Sequence, residues 1–283
     1  MDAKLNPPSK VGLPMKDAES SNAIAVRVQD ILATGATAVL VTIIKAPIQV
    51  GEKMIVEAGG SLHGTFGSSA IDAAITRQAN IFLASKHDTG TFFGREFAPN
   101  LSSFNDAQFL FELIQPEPRV VICGAGHVGA ALARFASLLG YHTTLIDDRI
   151  DFLRAEDFPE ENIEPMLAEN WAKTTGDSIG NGRGVSVAIV TRGHSEDEQC
   201  LRAALSSGDP DYVGLIGSKR RTRIVLERLR AAGIAEEKLQ HVHAPIGLDI
   251  GAVTPEEVAL AIIAEMVAVR RGGKATSLKD RKS

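Results

Sequence analysis

The second half of the chain alternates short apolar runs with stretches of helical period. Four apolar runs have the length and composition of buried strands: 120–123, 143–147, 185–190 and 212–216. Three amphipathic stretches follow strands in turn: 127–139, 195–207 and 218–232. Because alternating strands and helices pack as a parallel sheet covered on both faces, the pattern predicts a doubly wound, Rossmann-like α/β fold.

The last helix of this domain is delimited by its capping residues. Thr254 is expected to cap it, Pro255 suits its first turn, and Arg270, Arg271 and Gly272 form its stop. The preceding segment 160–183 shows no clear period. The tail 273–283 is expected to be frayed.

The first half predicts a smaller α/β domain over residues 21–114. Its expected elements are a helix over Asn22–Ala33, strands over Ala36–Ile44 and Lys53–Glu57, a second hairpin arm near Leu62–Phe66, and a strand over Gln108–Ile114. Residues 1–20 are expected to be disordered, and the proline-containing segment 115–118 is expected to be a linker. The Rossmann-like domain then covers residues 119–272.

Composition narrows the classes of partner and compartment. The 283 residues carry a net charge of −5, which argues against a general nucleic-acid or membrane-surface binder. No apolar segment at the N-terminus has the length of a signal peptide, so a cytoplasmic location is expected. The two cysteines, Cys123 and Cys200, fall in a predicted strand and helix and are expected to be core thiols in a reducing compartment.

A glycine-rich loop follows the first strand of the second domain. In Gly124-Ala125-Gly126-His127-Val128-Gly129 the first glycine permits a tight turn, the second lets a pyrophosphate approach the backbone, and the third lets helix and strand pack closely. The helix that starts here offers free N–H groups to an anion. The predicted cofactor-binding residues of the loop are Gly124, Ala125, Gly126, His127 and Gly129.

The other strand ends add polar residues to the same edge, where parallel sheets bind ligands. Asp147 lies about twenty residues after the glycine loop, where a carboxylate can accept hydrogen bonds from ribose hydroxyls. The remaining predicted binding residues are Asp148, Arg149, Thr191, His194, Ser218, Lys219 and Arg220.

Two of these groups admit different interpretations. His194 is the one candidate for a catalytic acid, base or ligand, and a turn histidine that only caps the next helix fits the pattern too. Ser218, Lys219 and Arg220 form either a second phosphate cradle or a solvated basic face. His241 and His243 alternate along an expected strand, but two histidines do not make a metal site, so none is predicted.

Several motifs in order resemble one protein family. They are Gly124–Gly129, Ile146–Arg149, Thr191–His194, Tyr212–Arg220 and His243–Gly251. Together they are similar to the XdhC/CoxI family of xanthine dehydrogenase and CO dehydrogenase accessory proteins.

The resemblance implies a cytoplasmic maturation factor rather than an enzyme. Such a factor binds molybdenum cofactor (molybdopterin), supports its sulfuration and delivers it to a molybdenum hydroxylase apoenzyme. The implied partners are that hydroxylase, a cysteine desulfurase as sulfur donor, and a second copy of the chain in a homodimer. Two alternatives remain open: an NAD(P)-dependent oxidoreductase that uses His194, and a non-catalytic adaptor of the same assembly pathway.

The N-terminal domain departs from the family at two positions. Ala70 stands where the family carries a cysteine, within Gly64–Asp72, and Ile48 stands where it carries an arginine. A thiolate that could ligate molybdenum or handle sulfur is therefore missing there. This departure favours a scaffolding or docking role for the N-terminal domain.

Overall fold

The structure is a computed structural model, and it describes residues 16–85, 87–182 and 184–280. The chain divides into two compact units, of which the first ends at Ile114 and the second begins at Gln115. Each unit has its own sheet and its own core.

The first unit is an antiparallel sheet with helices on both faces. Its strands are β1 (Ala38–Lys45), β2 (Lys53–Glu57), β3 (Leu62–His63), β4 (Thr89–Phe93) and β5 (Gln108–Ile114), in the order β3-β2-β1-β5-β4. Its helices are α1 (Lys16–Ala33), α2 (Ser69–Ser85) and the short α3 (Gly94–Phe97).

Successive residues of β1 and β2 face opposite sides, and both sides are covered. Ala38 and Ile55 pack with Ile24 and Ile31 of α1. Val39 and its neighbours on the other face join a second cluster with the apolar residues of α2 and several phenylalanines. The central strand is consequently buried along most of its length.

Several expectations for this unit need correction. Residues 16–20, expected in a disordered tail, belong to α1, while 1–15 lie outside the described residues. The second hairpin arm is only β3, because the chain leaves the sheet at Gly64. The sequence patterns did not indicate α2 or β4 at all.

The second unit is a six-stranded, wholly parallel sheet. Its strands are β6 (Arg119–Cys123), β7 (His142–Asp147), β8 (Ile163–Leu167), β9 (Val185–Ile189), β10 (Tyr212–Leu215) and β11 (Val242–His243), in the order β11-β10-β9-β6-β7-β8. Its helices are α4 (His127–Leu138), α5 (Trp171–Ile179), α6 (His194–Ser206), α7 (Lys219–Ala231), α8 (Glu236–Gln240) and α9 (Pro255–Arg271). This confirms the doubly wound, Rossmann-like fold.

The helices divide between two cores, one on each face of the sheet. Val120 and Ile122 of β6 pack with α4 and α9, whereas Val121 and Cys123 pack with α5, α6 and α7. The chain order reverses between β6 and β9, and this switch point is where doubly wound sheets open a ligand crevice.

The sequence predicted most of these boundaries to within one residue, including Thr254 as the cap of α9 and Gly272 as its left-handed stop. The unclear segment 160–183 holds β8 and α5. His241 is not on a strand with His243, because it caps the end of α8. In the tail 273–283, Leu278–Asp280 form one 3₁₀ turn, and 281–283 lie outside the described residues.

Cys123 and Cys200 are free and buried, which confirms the expectation of core thiols. No helix among the described residues is long and apolar enough to cross a membrane.

Candidate functional site: the crevice at the glycine loop

The turn between β6 and α4 requires glycine at two positions. Gly124 has φ of +115°, and a Cβ there would lie 2.6 Å from the carbonyl oxygen of Val190. A Cβ on Gly129 would collide with the carbonyl oxygen of Gly124. Both observations match the roles that the sequence predicted, a tight turn and close packing of helix on strand.

Gly126, by contrast, borders open space: apart from its chain neighbours, no described residue lies within 4 Å of a Cβ built on it. It is the N-cap of α4, and in the described part of the chain no side chain caps this helix. The first-turn N–H groups of α4, together with the positive end of its dipole, thus border open space. This arrangement suits a phosphate, since an anion there would take hydrogen bonds that the protein does not supply.

Asp147 ends β7 beside the loop and is 1% exposed. Oδ2 accepts the N–H of Ala125 at 2.8 Å and Nη2 of Arg149 at 2.9 Å. Oδ1 accepts the backbone N–H of Arg149 at 3.0 Å and its Nε at 2.8 Å. The carboxylate therefore ties the glycine loop to the residues that follow β7.

Burial raises the pKa of Asp147, but the hydrogen bonds from Arg149 and from the N–H of Ala125 outweigh it, so the pKa lies below its ordinary value. The same contact raises the pKa of Arg149. Asp147 is consequently a carboxylate at neutral pH.

Two guanidinium groups stand at this end of the crevice. Arg149 lies over the ring of Phe152, 3.7 Å from its centroid. Arg192, after β9, forms a two-pronged contact with Asp148, at 2.9 Å and 3.1 Å. Each arginine thus has an acidic partner that fixes its position.

A second buried carboxylate, Asp197 of α6, organises the opposite side. It is fully buried, accepts the hydroxyl of Thr191 at 2.6 Å, and takes Nε and Nη2 of Arg221 from α7 at 3.1 Å and 2.5 Å. Burial raises the pKa of Asp197, and the hydrogen bonds from Thr191 and Arg221 only partly oppose it. The network connects the loop that follows β9 with α6 and α7.

These groups enclose a cavity of about 460 Å³, within the usual range for small-ligand sites. Its lining is Gly124, Gly126, His127, Val128, Asp147, Arg149, Phe152, Trp171, Val190, Thr191, Arg192, Glu196, Ile216, Gly217, Arg221 and Pro255.

A cavity of about 510 Å³ lies elsewhere in the unit, beside Tyr212 and His243. It adjoins the start of β10, at the amino ends of the strands, whereas the glycine loop lies at their carboxyl ends. We take the 460 Å³ crevice as the candidate site because it holds the uncapped helix terminus at the switch point of the sheet.

The structure brings six of the predicted binding residues to this crevice: Gly124, Gly126, His127, Asp147, Arg149 and Thr191. Three more support it from behind. Ala125 donates to Asp147, Gly129 seats α4, and Asp148 holds Arg192.

The other four predicted residues do not line the crevice. His194 is exposed at the first residue of α6. Ser218 caps α7 by accepting the N–H of Arg221 at 3.2 Å, and Lys219 and Arg220 are exposed. Arg221, one residue further along, is the cation that α7 places in the crevice.

The predicted binding residues left out several residues that line the crevice, among them Phe152, Trp171, Glu196, Arg221 and Pro255. Trp171 and Pro255 are the first residues of α5 and α9, so the rule that helices start at this edge of the sheet could have indicated them. Phe152 and Glu196 carry no comparable signal.

The residues fit some parts of a cofactor better than others. The uncapped start of α4 suits a phosphate, whereas Asp147 has its acceptor positions filled by the protein and offers little to a ribose diol. Among the described residues, no group of three or more histidine, cysteine, aspartate or glutamate side chains could hold a metal ion.

Comparison with known proteins gives matches over both units. Residues 120–266 match the family model of the XdhC Rossmann domain, and residues 31–92 match that of the XdhC and CoxI family.

Two relatives and one solved structure are similar over most of the chain. The uncharacterized protein YqeB of Escherichia coli K12 is 30% identical over 77% of this chain and 40% of its own length. A probable xanthine dehydrogenase subunit of Bacillus subtilis 168 is 28% identical over 61% of this chain and 49% of its own length. The alignments thus span half or less of these relatives. A crystal structure of a xanthine dehydrogenase from Bacillus halodurans shares the fold, with a TM-score of 0.63 and 23% identity over 88% of this chain and 66% of that one.

Proposed function

Because the chain belongs to the XdhC family, we propose that it is an accessory factor for a molybdenum hydroxylase of the xanthine dehydrogenase type. In this proposal the crevice holds the phosphate end of molybdenum cofactor and presents the cofactor to the hydroxylase apoenzyme. The name of the Bacillus subtilis relative, a probable xanthine dehydrogenase subunit, supports this class of partner.

The observation that carries the proposal is the uncapped N-terminus of α4 facing open space at Gly126. A phosphate monoester seated there takes hydrogen bonds from backbone N–H groups and gains from the helix dipole. Arg149, Arg192 and Arg221 line the same cavity, and although a carboxylate partners each of them, their guanidinium N–H groups can add hydrogen-bond donors around the phosphate. Binding by backbone groups also lets the cofactor leave without breaking a covalent bond.

Sulfuration of the cofactor needs a second protein in this proposal. The chain has only two cysteines, and both are buried, so it offers no accessible thiol to carry sulfur. A cysteine desulfurase that meets the loaded accessory factor would supply the sulfur. The molybdenum-bearing part of the cofactor then has to remain accessible beyond the phosphate cradle.

The test is cofactor retention by the full chain produced in a molybdenum-replete host. Native mass spectrometry after gel filtration identifies the bound species, and transfer is followed as activation of a molybdenum hydroxylase apoenzyme. We expect the chain to retain a phosphorylated pterin and to raise activation above that obtained with free cofactor.

Gly126→Val should abolish retention, since its side chain fills the space that the phosphate needs. Gly59→Val is the matched control, because Gly59 also has no neighbour within 4 Å of a built Cβ and lies in the hairpin turn of the first unit. Retention by folded Gly126→Val equal to that of the unmodified chain would remove the crevice from the proposal.

A further inference from the structure

The subsite at the end of β7 normally binds a ribose through hydrogen bonds that an acidic residue accepts. In this chain that acid is Asp147, and protein groups already surround it. Its two oxygens accept four hydrogen bonds, one from Ala125 and three from Arg149.

A carboxylate has about four lone-pair positions, so these four donors leave no free acceptor for a ribose hydroxyl. The side chain is also 1% exposed. A diol could reach it only by displacing the guanidinium of Arg149, which would break two charge-assisted hydrogen bonds.

The group that a ligand meets here is instead Arg149, whose side chain is 34% exposed and lines the crevice. Its Nε and Nη2 hold Asp147, while Nη1 makes no hydrogen bond to any described residue. The ring of Phe152, 3.7 Å from the guanidinium, fixes its plane. Free N–H donors on a fixed plane can bind an acceptor without disturbing Asp147.

Arg192 adds a second cation to the same rim. Its side chain is 50% exposed, lines the crevice, and holds Asp148 through Nη1 and Nη2, which leaves Nε unused among the described residues. The two acids neutralise the two arginines overall. Net charge therefore does not decide which ligand binds at this rim. The free guanidinium N–H groups are donors, so a ligand that binds here has to supply hydrogen-bond acceptors.

From this geometry we infer that the end of β7 is a donor subsite, which takes a phosphate ester where related folds take a ribose diol. The crevice then prefers nucleotides that carry a phosphate on the ribose 2′ position over those with a free 2′ hydroxyl. This inference rests on the proposed seating of a first phosphate at the glycine loop, and it names the chemistry of the second contact.

The experiment compares ligands that differ only in the 2′ phosphate. Isothermal titration calorimetry on the full chain would measure binding of NADP and NAD, and of adenosine 2′,5′-bisphosphate and adenosine 5′-monophosphate. We expect the 2′-phosphorylated member of each pair to bind at least about tenfold more tightly, as charge-assisted hydrogen bonds to a phosphate allow.

Arg149→Ala should change the preference in both directions. It removes a donor to the 2′ phosphate and releases the acceptors of Asp147, so NADP should bind more weakly and NAD more tightly. Arg192→Ala should weaken NADP alone, because Asp147 stays occupied, and it serves as a second variant should Arg149→Ala not fold. Arg154→Ala is the control, since Arg154 follows β7 too but does not line the crevice.

Equal or tighter binding of the ligands that lack the 2′ phosphate would overturn the inference, as would binding of neither pair. A preference unchanged in both Arg149→Ala and Arg192→Ala would also overturn it. The proposed function is judged separately, by retention of the pterin cofactor and its loss in Gly126→Val. A chain that retains the cofactor but shows no 2′-phosphate preference keeps the function and loses the donor subsite.

Discussion

The hydroxyl of Tyr212 donates a hydrogen bond of 2.5 Å to Oε2 of Glu265, joining the first residue of β10 to α9. The same oxygen accepts the N–H of Gly247 at 2.9 Å, and Oε1 lies 3.3 Å from Nδ1 of His243. The ring of His243 stacks on that of Tyr212, with centroids 4.5 Å apart. Glu265 thereby fixes the segment between β11 and α9, so part of the motif His243–Gly251 has a structural role.

Tyr212→Phe should lower the free energy of unfolding by about 1.5–3 kcal/mol, because it removes one hydrogen bond to a charged group. The chain provides its own control in its other tyrosine. The hydroxyl of Tyr141 is buried and has no hydrogen-bond partner among the residues that the structure describes, so Tyr141→Phe should be neutral or stabilising. Urea unfolding followed by circular dichroism gives both values. A smaller loss for Tyr212→Phe than for Tyr141→Phe would show that the contact with Glu265 contributes nothing.

Stability should fall in acid, and Asp147 should account for part of the fall. Burial raises the pKa of Asp147, but its hydrogen bonds lower the pKa by more than burial raises it, so the folded pKa lies below the ordinary value of 3.8. The unfolded chain therefore takes up a proton before the folded protein does as the pH falls. The stabilisation that this carboxylate contributes is fully present from about one pH unit above the unfolded pKa of 3.8. It is lost as the pH falls through the lower pKa of the folded protein.

Asp147→Asn should consequently show a shallower loss of stability than the unmodified chain between about pH 5 and pH 3. Asp197 acts with the opposite sign, because burial raises its folded pKa. Its contribution is present in acid and is lost as the pH rises through that pKa, so Asp197→Asn should make the acid loss steeper. The measurement is the free energy of unfolding at a series of pH values. Parallel curves for Asp147→Asn and the unmodified chain would contradict the assignment.

The sequence predicted the second unit well because its signals are local. Glycines at fixed spacing, capping residues such as Thr254, and uninterrupted apolar strands each act within a few positions. In the first unit, α2 has a weaker start signal, a glycine-serine turn, and β4 contains Gly90. The core there depends on phenylalanines that meet across separate elements, which periodicity does not show.

The sequence predicted where the site lies but not which side chains in it pair with one another. Strand ends located the crevice, but the partners of Asp197 lie in the loop after β9 and in α7, up to 24 positions away, and no spacing rule joins them. Arg149 is different, because it lies two residues after Asp147 and its proximity could have been anticipated. The ribose role expected of Asp147 assumed a free carboxylate, and the local Asp-Asp-Arg order argues against one.

Ala70→Cys should increase retention of molybdenum cofactor. Ala70 is the second residue of α2 and is exposed, so a cysteine there would be accessible and its thiolate would be favoured by the helix N-terminus. A thiolate is a soft ligand suited to molybdenum, and a methyl group is not. Ala70→Ser has similar size without that softness and should retain no more cofactor than the unmodified chain. Equal, stoichiometric retention by the unmodified chain and by Ala70→Cys would show that the thiol is dispensable and would end the scaffolding interpretation of the first unit.

The chain should not catalyse hydride transfer, even where it binds a nicotinamide nucleotide. A dehydrogenase needs a proton donor or acceptor within hydrogen-bond reach of the substrate. His194, the one candidate from the sequence, is exposed at the start of α6 and does not line the crevice. Absorbance at the nicotinamide band, recorded with a panel of aldehydes, alcohols and hydroxy acids, should stay constant for the unmodified chain and for His194→Ala. Robust turnover that disappears in His194→Ala would replace the accessory role with an oxidoreductase, because it would place His194 at the reacting atoms.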